Sequence, residues 1–441
     1  MKGERKRHHV IGLLLCAVLV ATPVAALAVE QVPPGASEGF SSNIRALLYG
    51  NAQYPAHSSQ NPENAFARLY RYSGTVELRP DLFFDSPVVS VVFKPRFTSS
   101  SQWWEDGMAK GERDNLTRAY VNEWRVQAKP LSSLFVSFGK EKLLWGPSFL
   151  ASPSNVLFKD TEKANPKTEV EGRYLARVMY LPNAAVTITG LSETQRDDAP
   201  DPVNDKPVRA VKADWVGSNA ALSLVGHFKR DDRFRFGSYG QWTASDAVLL
   251  YYDGIVTRGT DVLYPVSDPA NPLGGTFTER YNGSDRLFAT AVVGGGYSFL
   301  SGSTLNLEFL YNGQGYGDAD AAEYYRLRDR AGDHYFDGGL LSALSARTLG
   351  QTMNTGMQFL RRYYLMGQYQ VREIGNALDI AVRYTHGLEE RTGQASTILE
   401  WKLSDRVQFF NINMVGIDRG RKTEFSAILA RSFMAGIEVH F

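Results

Sequence analysis

Cysteine is almost absent. The single one among 441 residues is Cys16, inside a stretch read below as a removable leader. The remaining chain can form no disulfide, which suits a polypeptide that must stay unfolded while it is exported through an oxidising compartment. Long apolar runs are also lacking. Beyond the leader none approaches the ~20 residues that a membrane-spanning helix needs, and mean hydropathy is −0.27. If the chain sits in a membrane it must do so as a closed barrel, because only helices and barrels satisfy every backbone polar group in lipid. Neither sign of charge dominates: 48 basic residues face 47 acidic ones, and no basic footprint for nucleic acid is present. Catalytic signatures are missing too. There is no G-x-S-x-G, no phosphate loop, no zinc spacing and no C-x-x-C-H haem attachment motif. The histidines after the leader are His57, His227, His334, His386 and His440, scattered as wall or loop residues. No enzyme, metal or cofactor is expected.

The leader is residues 1–28. Lys2, Arg5, Lys6 and Arg7 make a basic start, an apolar run follows from Val10 to Val20, and Ala26-Leu27-Ala28 offers a small-residue cleavage site. Leu15 precedes Cys16 where a lipidation signal would place a small residue, so lipidation is not expected. Removing those four bases and Glu4 from the totals leaves 44 basic against 46 acidic residues, a net of −2. Residues 29–42 read as a Pro/Gly-containing periplasmic lead-in, and residues 43–441 as one domain.

That domain reads as strands throughout, because apolar and polar residues alternate with a period of two. The clearest run is Leu305, Leu307, Phe309 and Tyr311 set against Asn306, Glu308 and Asn312. Eighteen such segments are counted, with sixteen as the other even number; Asn183–Leu191 and Gly237–Ala244 carry the weakest alternation. Turn dipeptides such as Gly375-Asn376 and Ser404-Asp405 join some of them. Connections alternate long and short along the chain, the pattern of a single closed antiparallel transmembrane β-barrel with short periplasmic turns and long extracellular loops. In the segment Arg406–Ile417 the alternation slips at Phe409-Phe410, which predicts a bulge. In Ser133–Leu144, Lys140 and Lys142 fall in the apolar phase, so the strand is expected to bulge or leave the membrane there.

The last eleven residues end the pattern. Phe433, Ala435, Ile437, Val439 and Phe441 share one face, with Ser432, Glu438 and His440 on the other. An amphipathic strand closing on an aromatic resembles the terminal strand of bacterial outer-membrane β-barrel proteins. That resemblance implies the cell outer membrane of a Gram-negative bacterium, with outer-membrane lipid as the surrounding partner.

In a barrel of this size the polar face lines an aqueous lumen and the apolar face meets lipid. Tyr120, Trp124, Tyr174, Tyr180, Trp215, Tyr297, Tyr311, Tyr384 and Trp401 suit interfacial girdles. The inward phase predicts pore-lining charge at Lys94, Arg96, Arg125, Arg173, Arg177, Lys212, Glu308, Arg362, Arg372, Asp379, Arg383 and Glu400. Lys94/Arg96 and Arg173/Arg177 meet no acid in phase on their own strands. Basic rings favour anions in a pore, while cross-strand pairing would make the same residues a rigid wall. The connection Trp145–Val170 is a candidate constriction folding inward, offering Lys159, Asp160, Lys163 and Lys167. In the longest connection, Gln314–Leu360, Ala319–Arg330 and Leu340–Thr348 read as short helices able to lid or plug the pore.

Taken whole, the chain after the leader resembles a porin-like channel. Its eighteen-strand plan, arginine-bearing lumen and the run from Arg361-Arg362-Tyr363-Tyr364 through the final hairpins are similar to the alginate-export type of barrel. This likeness is architectural and implies passage of an anionic saccharide or polymer. The leading expectation is passive diffusion of small hydrophilic or saccharide solutes, with a lean towards anions. The alternatives are an export conduit for an acidic exopolysaccharide, which needs a periplasmic export partner, and a barrel sheathing an electron carrier, which needs a cytochrome partner.

Overall fold

The computed structural model describes residues 39–158, 162–195, 207–229, 233–420 and 422–441. The leader and the first part of the lead-in lie outside them. Alternation of apolar and polar residues has the expected result: eighteen strands form one closed antiparallel sheet. In chain order they are Gly39–Pro55, Tyr72–Asp85, Val89–Trp103, Arg113–Leu131, Leu134–Glu141, Arg173–Asn183, Val186–Gln195, Val208–Val216, Ala220–Lys229, Phe234–Ser245, Val248–Arg258, Leu287–Ser298, Thr304–Asn312, Tyr363–Ile374, Leu378–Gly387, Thr392–Lys402, Val407–Ile417 and Leu429–His440. The two weakest segments are among them. The first strand starts at Gly39 rather than Asn43, so the end of the expected lead-in is wall.

Each strand pairs with the next, and the first also pairs with the last. Arg45 stands opposite His440, and Ala52 opposite Phe433. Closure leaves no unpaired edge, the condition for placing strands in lipid. Short turns sit at one end of the barrel. At one of them Gly375 and Asn376 take φ of 60° and 62°, the left-handed conformation that tight hairpins require and that Gly and Asn tolerate best.

Side-chain exposure shows the inside-out arrangement. On Thr304–Asn312, Leu307 is 58% exposed on the outer face, whereas Glu308 is 2% exposed and faces inward. Val76, Phe93, Val178, Leu250 and Val382 share the outer face, as do Tyr180, Trp215, Tyr297 and Trp401 towards the short-turn end. An apolar outer band of this kind matches hydrocarbon rather than water.

The sheet departs from the expected pattern at Phe409-Phe410. Pairing there is regular on both sides, with Phe409 opposite Trp401 and Ile437, and Phe410 opposite Glu400 and Gly436. The slipped phase is an inward-facing aromatic: Phe410 is fully buried, against Tyr49 and the Lys167 ammonium. Register shifts fall elsewhere, among them between Lys94 and Pro95, where proline has no N–H to give to the ladder.

At the other end the long connections build a cap. The connection 259–286 carries a hairpin of Tyr264–Ser267 and Gly275–Thr278. The longest connection folds into α1 (Asp318–Asp333) and α2 (Gly339–Met353), as its sequence predicts. Tyr264, Phe277, Tyr316, Tyr324 and Leu327 bind helix to hairpin in one apolar cluster. Leu273, Ala331 and Leu349 form a second cluster, and the Gln60 amide donates to Tyr324 from the first long connection.

Candidate functional site

The strand Leu134–Glu141 ends at Glu141, between the two lysines where the sequence leads one to expect a bulge or an exit from the membrane. The chain then turns into the barrel, and its described residues 142–158 and 162–172 form an irregular segment inside it, held on both sides.

On one side the hold is apolar. Leu143, Leu157 and Phe158 pack against Leu175, Leu191, Val208, Val225 and Tyr239, which face inward from five successive strands. The inner face is therefore not wholly polar. It turns apolar where the segment covers it, and that burial anchors the segment at roughly 1.5–3 kcal/mol per large side chain.

Two wall carboxylates hold the backbone of its first half. Asp253 accepts from the Ser154 amide at 2.8 Å and the Ser152 hydroxyl at 2.7 Å. Glu308 accepts from the amides of Phe149 (2.6 Å) and Leu150 (2.8 Å), and from the Tyr251 hydroxyl at 2.9 Å. An irregular segment has no ladder of its own, so these carboxylates satisfy amides that would otherwise be orphaned.

The far side is ionic. Lys167 lies 2.7 Å from both Glu438 and Glu400, and Arg79 donates to its carbonyl at 2.7 Å. Glu169 lies 2.6 Å from Arg96 and 3.4 Å from Arg45. Asp81 extends the network to the same two arginines, at 2.9 and 3.2 Å. Burial alone would raise the Glu169 carboxyl, but the hydrogen bond from Arg96 and the charges of Arg79 and Arg96 outweigh it and hold it down to about 2. Lys163 donates to the carbonyls of Pro147 (2.9 Å) and Ser148 (2.8 Å), tying the segment to itself, and the Arg383 guanidinium takes the Lys163 carbonyl at 2.9 Å. Burial pushes the Lys163 ammonium down to about 8, with Glu308 and Asp253 offsetting only part of that.

The expected pore-lining charges are thus drawn together, but mostly as pairs. Lys94 meets Glu123 at 2.9 Å, Arg125 and Arg177 meet Glu141 at 3.7 and 2.6 Å, Arg173 meets Glu193 at 3.1 Å, and Lys212 meets Asp214 at 2.9 Å. The acids missing from the strands of Arg96 and Arg177 come from neighbouring strands and from the crossing segment. Arg383 is shared between Gln368 and the segment. Asp379 accepts the Glu373 amide in the turn hairpin, and Arg372 is exposed on that same hairpin. Arg362 falls just before its strand, where its guanidinium donates to the Gly315 carbonyl at 3.2 Å. Lys159 and Asp160 lie outside the described residues. Glu169, Asp81 and Asp253 were not singled out from the sequence. Asp253 and Asp81 sit in the inward phase and could have been, whereas Glu169 lies in an aperiodic stretch.

Two chambers flank the segment towards the long-loop end. One, about 410 Å³, lies against the first three and last two strands. The other, about 810 Å³, lies under the cap, beside the Arg233–Asp261 pair.

No protein-family model matches the sequence, and no curated protein matches it. The fold is nevertheless a known one: its structural neighbours are outer-membrane porins. Among the solved structures, OccK11 (OpdR) of Pseudomonas aeruginosa is similar with a TM-score of 0.52 at 10% identity, over 92% of this chain and 98% of that one. OccK5 (OpdH) of the same organism gives 0.51 at 9% identity over 91% and 98%, and OccK2 (OpdF) gives 0.51 at 11% identity over 92% and 100%. At these identities the likeness is one of fold.

Proposed function

We propose that the protein is an outer-membrane channel for passive diffusion of small hydrophilic solutes, with residues 1–28 removed on export and the rest forming one barrel domain. The observation that carries this is the crossing segment. A barrel of eighteen strands is wide enough for an aqueous lumen, and residues 142–158 and 162–172 divide that lumen rather than fill it, with chambers beside them. In this reading the segment is the constriction. Arg45, Arg79, Asp81, Arg96, Glu169 and Lys167 hold it in place, and Lys94, Arg125, Arg173 and Arg177 stiffen the wall as ion pairs. Bases paired in this way carry little net positive charge for an anion-selective ladder, so the solute is hydrophilic rather than specifically anionic.

The test is osmotic swelling of liposomes containing the protein, with neutral solutes of increasing mass. Swelling that falls steeply as solute mass rises through the monosaccharide-to-trisaccharide range supports a constricted channel. Liposomes that fail to swell in any solute, although they hold folded barrel, contradict it.

A further inference from the structure

Five strands and the crossing segment enclose the smaller chamber, and its walls differ from the rest of the interior. Asn51, Gln53, Ser73, Thr75, Ser100 and Gln102 supply amides and hydroxyls, while Met414 and Met434 supply apolar surface. No Asp, Glu, Lys or Arg side chain is among the described residues that line it. In a lumen otherwise crossed by ion pairs, this is a neutral patch of hydrogen-bonding groups beside flat apolar ones.

Two of those groups are unfinished. The Asn51 Oδ1 and Gln53 Oε1 atoms are enclosed and accept no hydrogen bond within the protein. The Asn51 amide nitrogen faces the Tyr70 hydroxyl at 3.2 Å, which leaves its oxygen as the acceptor without a partner. A buried acceptor without a donor is a cost to the fold that an arriving O–H group relieves. A carboxylate group brings no such donor and would lose its hydration here with no cation on the chamber wall to replace it.

Building on the channel reading, we propose that this chamber is a binding subsite for a neutral polyhydroxylated solute of mono- to disaccharide size. Its hydroxyls donate to Asn51 Oδ1 and Gln53 Oε1 as those amide groups turn towards the chamber, and its C–H faces lie on Met414 and Met434. About 410 Å³ falls in the usual range of small-molecule sites. Loading would narrow the water path beside the constriction, so the current falls while the solute is bound.

The experiment is single-channel recording on the full barrel in planar bilayers. Maltose is compared with maltobionate, its carboxylate-bearing counterpart, for the parent, for N51L/Q53L, and for S99A on the outer face as control. The expected result is brief current blocks by maltose, at least fivefold weaker block by maltobionate, and a half-blocking maltose concentration about tenfold higher in N51L/Q53L while S99A matches the parent. Equal or stronger block by maltobionate overturns the proposal, and so does an unchanged half-blocking concentration in N51L/Q53L. Heat-modifiable migration checks that each variant is folded. If the parent does not conduct, intrinsic tryptophan fluorescence of the same protein in detergent is titrated with maltose. A saturable change lost in N51L/Q53L keeps the subsite while the channel reading falls, and no change removes both.

Discussion

Lys167 and Glu438 are 271 residues apart in the chain and 2.7 Å apart in the barrel. The contact fastens the segment that crosses the lumen to the strand that closes the sheet. With Glu400 at the same distance, one ammonium bridges two carboxylates from two strands.

Lys167→Met leaves Glu438 and Glu400 facing each other without their shared cation. Removing one partner of a buried pair is costly, here up to about 3 kcal/mol because lumen water softens the loss. The loss falls on the segment rather than on the sheet. Mean single-channel conductance and current noise are expected to rise, while the heat-modifiable band on gels stays that of a folded barrel. A quiet trace at parental conductance would show that Lys167 does not hold the segment.

Glu169 sets an acid limit on the same docking. Its pKa is depressed, so the stabilisation is present above the ordinary carboxyl range and is lost as pH falls from about 4.5 towards about 2. The amount at stake is about 3 kcal/mol. Channels are expected to stay quiet from pH 7 to 5 and become noisy below pH 4, whereas Glu169→Gln is noisy at every pH. Identical pH profiles for the two proteins would refute the assignment.

Lys163 gives the opposite end of the scale. Burial has lowered its pKa to about 8, so the lumen loses one positive charge as pH rises through that value. Reversal potentials under a salt gradient should shift towards cations between pH 7 and pH 9. In Lys163→Met that shift should be smaller, measured in the same bilayers.

Much of this architecture is legible in the residues themselves. Strands follow from the period of two, and tight turns from residues such as Gly375-Asn376. The helices in the longest connection follow from Ala319–Arg330 and Leu340–Thr348, which the structure extends by one residue at the start and by three and five residues at the end. Sequence reasoning loses its hold at the crossing segment. Glu169 has no periodic neighbours, and its partner Arg45 comes from 124 residues away, so neither spacing nor phase announces the pair. The same blindness explains Phe410 and the inward Leu175 and Val225. An apolar residue on a polar face looks like an error of phase until the segment that covers it is known.

The outer face makes a separate prediction. Leu307 is 58% exposed near the middle of its strand, and Leu307→Arg should destabilise the barrel by about 2–4 kcal/mol in lipid. Leu307→Phe should be close to neutral. Urea unfolding of vesicle-inserted protein, followed by tryptophan fluorescence, reads the difference. Equal stability of L307R and the parent would mean that this face does not meet hydrocarbon.

The most direct measurement is current through the purified barrel in a planar bilayer. The account predicts discrete, stepwise conductance that grows when the grip of Lys167 on the crossing segment is released. Folded barrels that insert but pass no ions, with and without K167M, would contradict it.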